Sequence, residues 1–255
     1  MLLAFDVGNT HITLGAFSGD TLAFETRLAS DRKRTGDQYA IELKDMIELN
    51  GYTPGDFTGA VISSVVPNLS ASLKQAVTRL FGFEPLSVGP GVKSGLNIKI
   101  DNPAQLGADM VAGAVAAIAK YSLPCIVYDL GTATTISVLD RTGNFLGGTI
   151  CAGVGVSLDA LTSRTAQLPH ISLETPAKVI GTNTVDCMKS GLLCGAAAMV
   201  DGMADRIEDE LGEKTTLVAT GGLAPEVVKS CRRDVILDGS LLLEGLRLIY
   251  ERNQQ

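Results

Sequence analysis

A short apolar run that delivers an aspartate into a glycine turn and returns as a strand occurs twice in this chain. The copies are LLAFDVGNTHITLGAF, from Leu2, and CIVYDLGTATTISVLD, from Cys125. A repeat of this kind constrains the fold strongly, because it calls for two related halves that each begin with the same strand–turn–strand unit. Around the first copy, residues 2–5, 11–17 and 21–29 alternate or cluster apolar side chains about the turn SGD, the pattern of a three-stranded meander. Helical spacing over residues 37–49 stops at Gly51 and Pro54, and a strand (GAVISSV) and a helix over 69–80 follow.

The order begins again at residue 125. After the second strand–turn–strand comes a third strand at 145–150, then TTLVATGG at 215–222 as a strand ending in a glycine turn, then a closing helix over 240–252. Between the halves, LGADMVAGAVAAIAKY at 106–121 is alanine-rich and free of proline, which predicts a helix starting near Gly107 or Asp109. A longer helix is predicted over 185–211, where Met188, Leu192, Ala196, Met199 and Met203 recur at three- or four-residue steps. Its nearly all-apolar middle suits burial in a core or against a second subunit. The expected fold class is α/β, with an N-terminal lobe over 1–118, a C-terminal lobe over 119–255 and a cleft between them.

Composition narrows the partners. With 45% hydrophobic and 19% charged residues, the chain can bury a sizeable core, and 255 residues suffice for two lobes. A formal net charge of −7 argues against a general nucleic-acid binder, which needs a basic stripe. The basic runs DRKR at 31–34 and CRRD at 231–234 are short, flanked by acids, and read as solvated surface. Five cysteines without CxxC spacing make neither a disulfide framework nor a zinc site. Buried, reduced thiols at Cys125 and Cys151 and a cytoplasmic setting are expected. The N-terminal LLAF is too short for a signal peptide or a membrane span, so no membrane partner is expected.

The repeated loops carry the chemistry. In DVGNTHIT, Gly8 lets the backbone approach a ligand closely, while Asn9, Thr10 and Thr13 add short donors beside exposed N–H groups, which suits a phosphate chain. Asp6 would repel phosphates unless a divalent cation, held directly or through water, lay between them, and an ATP–Mg²⁺ complex meets that requirement. Taken alone, the motif is equally an ordinary turn after a strand. DLGTATT repeats the logic with Asp129, Gly131, Thr132, Thr134 and Thr135. Asp109 is the candidate general base for a hydroxyl acceptor, and is also what the dipole at a helix start favours on its own. His11 lies in the first loop and His170 in a predicted surface segment.

Paired phosphate loops facing one cleft resemble the actin, sugar-kinase and Hsp70-like ATPase architecture of two duplicated ribonuclease H-like lobes. Thr220-Gly221-Gly222 falls where that superfamily contacts adenosine. More specifically, the chain resembles the type III pantothenate kinases through DVGNTHIT, SSVVP at 63–67, SGLNIKIDNPAQLGAD at 94–109, DLGTATT, GGTI at 147–150, LTSRTAQLP at 161–169, IGTNTVDCMKSG at 180–191 and TGG at 220–222.

The resemblance implies ATP-dependent phosphorylation of the pantothenate 4′-hydroxyl, the first step toward coenzyme A, in a cytoplasmic homodimer joined through the region of the long helix. It implies that Asp6, Val7, Gly8, Asn9, Thr10, His11, Ile12 and Thr13 hold the ATP phosphates, with Mg²⁺ at Asp6, and that Thr132 adds a nucleotide contact. It further implies a monovalent cation, K⁺ or NH₄⁺, at Asp129. Gly107, Ala108, Asp109 and Met110 would line the acceptor site with Asp109 as proton acceptor, and Thr184 would touch the acceptor. Met110, Ile100 and Ala152 stand where the family pattern has Arg, Tyr and Pro. Two accounts of those changes stay open at this point: an active kinase in which Lys93, Lys99 or Arg164 supplies the missing charge, or a nucleotide-binding paralogue with a lost or altered acceptor. A phosphohydrolase of the same architecture is a more distant third.

Overall fold

The computed structural model describes residues 1–254. They form two compact units.

The first unit comprises Met1–Gly95, Asn102–Ala116 and the stretch from Leu241 onward. Its sheet runs in the order β3-β2-β1-β4-β5. The strands are β1 (Leu2–Val7), β2 (His11–Ser18), β3 (Thr21–Ala29), β4 (Gly59–Ser64) and β5 (Leu86–Ser87). β1 is antiparallel to β2 and parallel to β4, so it is central and enclosed on both faces. This is why β1 and β4 read as near-continuous apolar runs, whereas the edge strand β3 alternates and buries only Leu28.

One face of the sheet, through Leu3, Phe5 and Val7, meets Tyr39, Leu43 and Ile47 of α1 (Gly36–Leu49) and Leu69 and Leu73 of α2 (Pro67–Phe81). α1 starts at a capping box in which the Gln38 amide donates to the Thr35 hydroxyl (3.4 Å) and the Thr35 amide to the Gln38 side chain (2.9 Å). The closing helix α8 (Leu241–Gln254) packs on β1, β2 and β4. A Cβ at Gly15 would lie 2.8 Å from Leu243 Cδ1. α8 also meets α3 (Ala108–Lys120) at Gly245, where any side chain would run into the carbonyl of Ala112.

The second unit comprises Leu96–Asp101 and Ala117–Ser240. Its sheet order is β11-β10-β7-β8-β9-β6. The strands are β6 (Asn97–Ile98), β7 (Cys125–Leu130), β8 (Ala133–Leu139), β9 (Asn144–Ala152), β10 (Thr216–Thr220) and β11 (Ile236–Leu237). Taken from β9, the series β9-β8-β7-β10-β11 repeats the first sheet strand for strand with the same directions, and β6 is an addition beside β9. The duplication inferred from the two Asp-Gly runs is therefore a duplication of topology.

Four helices belong to this unit: α4 (Val154–Arg164), α5 (Thr184–Lys189), α6 (Gly195–Leu211) and α7 (Ala224–Val228). Ile126, Tyr128 and Leu130 pack with Leu193, Ala197, Val200 and Ala204, and the buried Tyr128 hydroxyl donates to the Val200 carbonyl at 3.1 Å.

The long helix predicted over 185–211 is helical throughout but passes through a π-turn at Ser190–Cys194. Met188 and Leu192 are buried as expected, but beyond the turn Ala197, Val200 and Ala204 occupy the core. Ala196, Met199 and Met203, the predicted positions, are only partly buried. The wider turn advances the buried face by one residue.

At the end of α6, Glu208 is 4% exposed and accepts hydrogen bonds from Arg233 (2.6 Å), Lys214 (2.7 Å) and both the amide and the hydroxyl of Thr215 (3.0 Å each). Cys125 is buried as predicted. Cys151 is exposed, contrary to expectation, because it lies at the far end of β9, a strand on which only Phe145 is buried. Among the described residues, no helix is long and apolar enough to cross a membrane.

Candidate active site

The first glycine turn connects β1 to β2. Asp6 stands opposite Thr13 on β2 and beside Ser63 on β4. The turn is closed by the Gly8 amide donating to the His11 carbonyl at 3.0 Å. A Cβ at Gly8 would approach that same carbonyl to 3.2 Å, so the position favours glycine through close approach rather than through an unusual dihedral. Val7 and Ile12 are buried and anchor the two strand ends, while Asn9, Thr10 and His11 are exposed.

A contact that sequence reasoning did not find holds the turn from outside. Ser30, just past β3, donates from its hydroxyl to the Gly8 carbonyl (2.6 Å) and from its amide to the Thr10 carbonyl (3.0 Å). Both bonds tie the turn to the end of β3 and leave the exposed side chains of Asn9, Thr10 and His11 on its outer side.

The second turn connects β7 to β8 in the matching register. Asp129 stands opposite Thr135 and beside Thr220, as Asp6 stands opposite Thr13 and beside Ser63. The Gly131 amide donates to the Ala133 carbonyl at 3.2 Å, which makes this turn one residue shorter than the first. Two further glycines pack against it. Gly153, which precedes α4, donates its amide to the Thr132 carbonyl at 3.1 Å, and any side chain there would collide with the carbonyls of Gly131 and Thr132. Gly221 has φ +95°, and a Cβ on it would lie 2.6 Å from Asp129 Oδ1. The TGG turn and the Asp129 carboxylate are thus in direct apposition.

Asp109 lies in the first turn of α3, half-buried. Burial pushes its carboxyl above the ordinary carboxylate range, and a hydrogen bond from the Met110 amide to Oδ1, at 2.8 Å, offsets part of that. Gly107 allows this arrangement, because a side chain there would run into the Asp109 carboxylate. Ala108 begins the helix, whose first bond runs from the Val111 amide to the Gly107 carbonyl at 3.0 Å. A carboxylate made more basic by burial, and aimed by one backbone amide, is equipped to accept a proton from a hydroxyl.

Thr184 is the first residue of α5, behind the cap at Asn183, whose side chain accepts from the Asp186 amide at 2.9 Å. It borders a cavity of about 380 Å³ lined also by Leu161, Leu168, Cys187, Met188, Gly191 and Leu192. The residues 6–13 and 107–110 belong to the first unit, and Asp129, Thr132 and Thr184 to the second. Of the suggested compensating cations, Lys93 is in the first unit and Lys99 and Arg164 are in the second. The backbone of Lys93 is bound through its amide and carbonyl to the Asn253 side chain, at 3.1 Å each.

Among the described residues no group of three or more His, Cys, Asp or Glu side chains is gathered as for a protein-only metal cage. Single carboxylates beside hydroxyls, as at Asp6 and Asp129, suit hard cations that take the rest of their oxygen ligands from phosphates and water.

The family model for type III pantothenate kinase matches residues 2–206. A type III pantothenate kinase of Moorella thermoacetica is 45% identical over 99% of this chain and 100% of its own length. Among solved structures, the inorganic polyphosphate/ATP-glucomannokinase of Arthrobacter sp. strain KM superposes with a TM-score of 0.50 at 14% identity, covering 100% of this chain and 99% of that one. The activator of the 2-hydroxyisocaproyl-CoA dehydratase of Clostridium difficile, solved with bound ADPNP, gives 0.54 at 13% identity, covering 99% and 94%. At such identities the two structures establish the fold, that of the sugar kinases and related ATPases.

Proposed function

The chain belongs to the type III pantothenate kinase family, and on that premise we propose that it transfers the γ-phosphoryl group of ATP to the 4′-hydroxyl of pantothenate, giving 4′-phosphopantothenate and ADP. The observation that carries the reading is the repeated register of Asp6 and Asp129, each at the end of a central strand, opposite a threonine and before a glycine turn.

In this reading the turn at residues 6–13 receives the phosphates of ATP, and Asp6 holds Mg²⁺ directly or through water. The ion supplies neutralisation of charge on the phosphate oxygens. Asp129 holds the monovalent cation, with Thr132 contacting the nucleotide. Asp109 accepts the proton of the 4′-hydroxyl as its oxygen bonds to the γ-phosphorus and the bond to the β-bridging oxygen breaks, leaving ADP. Gly107, Ala108 and Met110 shape the acceptor end, and Thr184 adds a hydroxyl at the rim of an otherwise apolar cavity.

A homodimer is supported by the exposed apolar side chains Val179 (73%), Ile180 (81%) and Val185 (39%) at the start of the α5–α6 stretch. A cytoplasmic location fits the site of coenzyme A synthesis from ATP. Met110 favours one alternative, a nucleotide-binding paralogue with another acceptor or none, because a thioether replaces the five donors and fixed charge of the family's arginine. Mass spectrometry of the reaction mixture separates the two. Pantothenate heavier by one phosphoryl group supports the kinase; ATP bound while pantothenate stays unmodified supports the paralogue.

A further inference from the structure

The basic run that follows β3 does not behave as uniform solvated surface, and its three cations go to three different places. Arg34 is paired with Glu42 and, at 3.7 Å, with Asp31. Lys33 is exposed. Arg32 donates from Nη2 to the side-chain oxygen of Asn9 at 2.9 Å, in the middle of the first glycine turn.

The backbone that carries Arg32 is fixed on both sides. Ser30 is bonded to the Gly8 and Thr10 carbonyls. Asp31 exchanges two hydrogen bonds with the fully buried Tyr39, its amide donating to the hydroxyl and its carbonyl accepting from it, at 3.0 Å each. Asn9 and Arg32 are both exposed, so the guanidinium is not needed to satisfy a buried acceptor, which water would otherwise serve. The contact uses one of the five donors of the guanidinium fork and leaves the rest for another partner. Residues 6–13 themselves contain no Lys or Arg, so Arg32 brings to this turn a permanent positive charge that the turn does not carry.

We propose that Arg32 is a phosphate-recognition residue of the first turn, its guanidinium engaging the terminal phosphates of ATP while Asn9 holds it in register. The inference rests on the reading that residues 6–13 receive the nucleotide phosphates. A planar fork suits bidentate contact with phosphate oxygens, which a lysine ammonium matches only in charge.

The test uses the full chain, with calorimetric titration of ATP–Mg²⁺ alone and initial rates at varied ATP with saturating pantothenate. Arg32→Ala is expected to weaken ATP binding and kcat/KM for ATP by about 10- to 100-fold, the range of hydrogen bonds to charged groups. The KM for pantothenate should stay within about threefold, Arg32→Lys should recover part of the loss, and Lys33→Ala should bind ATP within about twofold of the unaltered protein. Where Arg32→Ala does not fold, Arg32→Gln, which can still reach Asn9 without the charge, is titrated instead. ATP binding by the folded Ala or Gln variant within twofold of the unaltered protein overturns the proposal, as does an equal loss in Lys33→Ala. If the unaltered protein binds ATP but shows no turnover with pantothenate, the acceptor assignment fails, and the titrations still decide the role of Arg32. If it does not bind ATP, both fail.

Discussion

The Asp129 carboxylate occupies the space that a side chain on Gly221 would need: a Cβ built there lies 2.6 Å from Asp129 Oδ1 and 2.7 Å from the backbone of Leu130. Gly221 also has φ +95°, where L side chains are strained. Gly221→Ala should therefore cost roughly 2–4 kcal/mol of stability, by the sum of the left-handed penalty and the clash. If Asp129 holds the monovalent cation, the variant that survives should also need more K⁺ for half-maximal turnover. Urea unfolding and a K⁺ titration check the two parts; a variant as stable as the parent with the same K⁺ response would contradict them.

Asp109 predicts a pH signature. Its carboxyl is raised by burial, so in the proposed role of proton acceptor it is lost by protonation at a pH above the ordinary aspartate value of 3.8. The acid limb of kcat/KM for pantothenate should have its midpoint above that value. Asp109→Asn keeps an acceptor for the Met110 amide but removes the base, and should lower kcat by about 10²–10⁴-fold with ATP affinity unchanged.

The same group gives a stability test. A folded pKa above the unfolded one means a contribution that is fully present below the unfolded pKa and is lost as pH rises through the folded pKa. At neutral pH the buried Asp109 carboxyl therefore weighs against the fold, and Asp109→Asn should have the higher Tm. Equal Tm values in the two proteins at neutral pH would contradict the burial argument.

Glu208 acts in the opposite sense. Burial alone would raise its carboxyl, but the bonds from Arg233, Lys214 and Thr215 outweigh it and hold the group down to about 2, against an ordinary value of 4.5. Its contribution is present above pH 4.5 and is lost as pH falls toward 2. Glu208→Gln should cost roughly 3 kcal/mol at neutral pH and flatten the acid limb of stability across that window. Chemical denaturation at pH 7 and pH 3 tests this, since a constant difference between the two proteins is not what the account predicts.

How much of this was legible from sequence depends on what fixes each part. β1 and β7 could be read directly, because strands enclosed on both faces must be apolar and the Asp-Gly turn marks where each one ends. The two-residue strands β5, β6 and β11 could not, since two residues carry no period. α4 was missed because its start depends on Gly153 fitting beneath the carbonyls of the second turn, a tertiary condition. Gly191 inside the π-turn is compatible with an uninterrupted helix as well as with a widened turn, so regular spacing places the buried face of α6 one residue early.

In the site, the TGG turn was visible as a turn. Its apposition to Asp129 is set by the parallel pairing of β7 with β10, which brings Thr220 beside Asp129. Arg32 was read as surface because nothing local tells where β3 ends relative to Asn9.

The central claim is that the duplicated turns and Asp109 work together as a pantothenate kinase. Coupled ADP release by the purified chain with ATP, Mg²⁺ and K⁺, measured with and without pantothenate, tests it most directly. The account predicts saturable, pantothenate-dependent turnover that Asp109→Asn removes while ATP binding persists. Turnover independent of pantothenate, or ATP binding with no turnover at all, would contradict it.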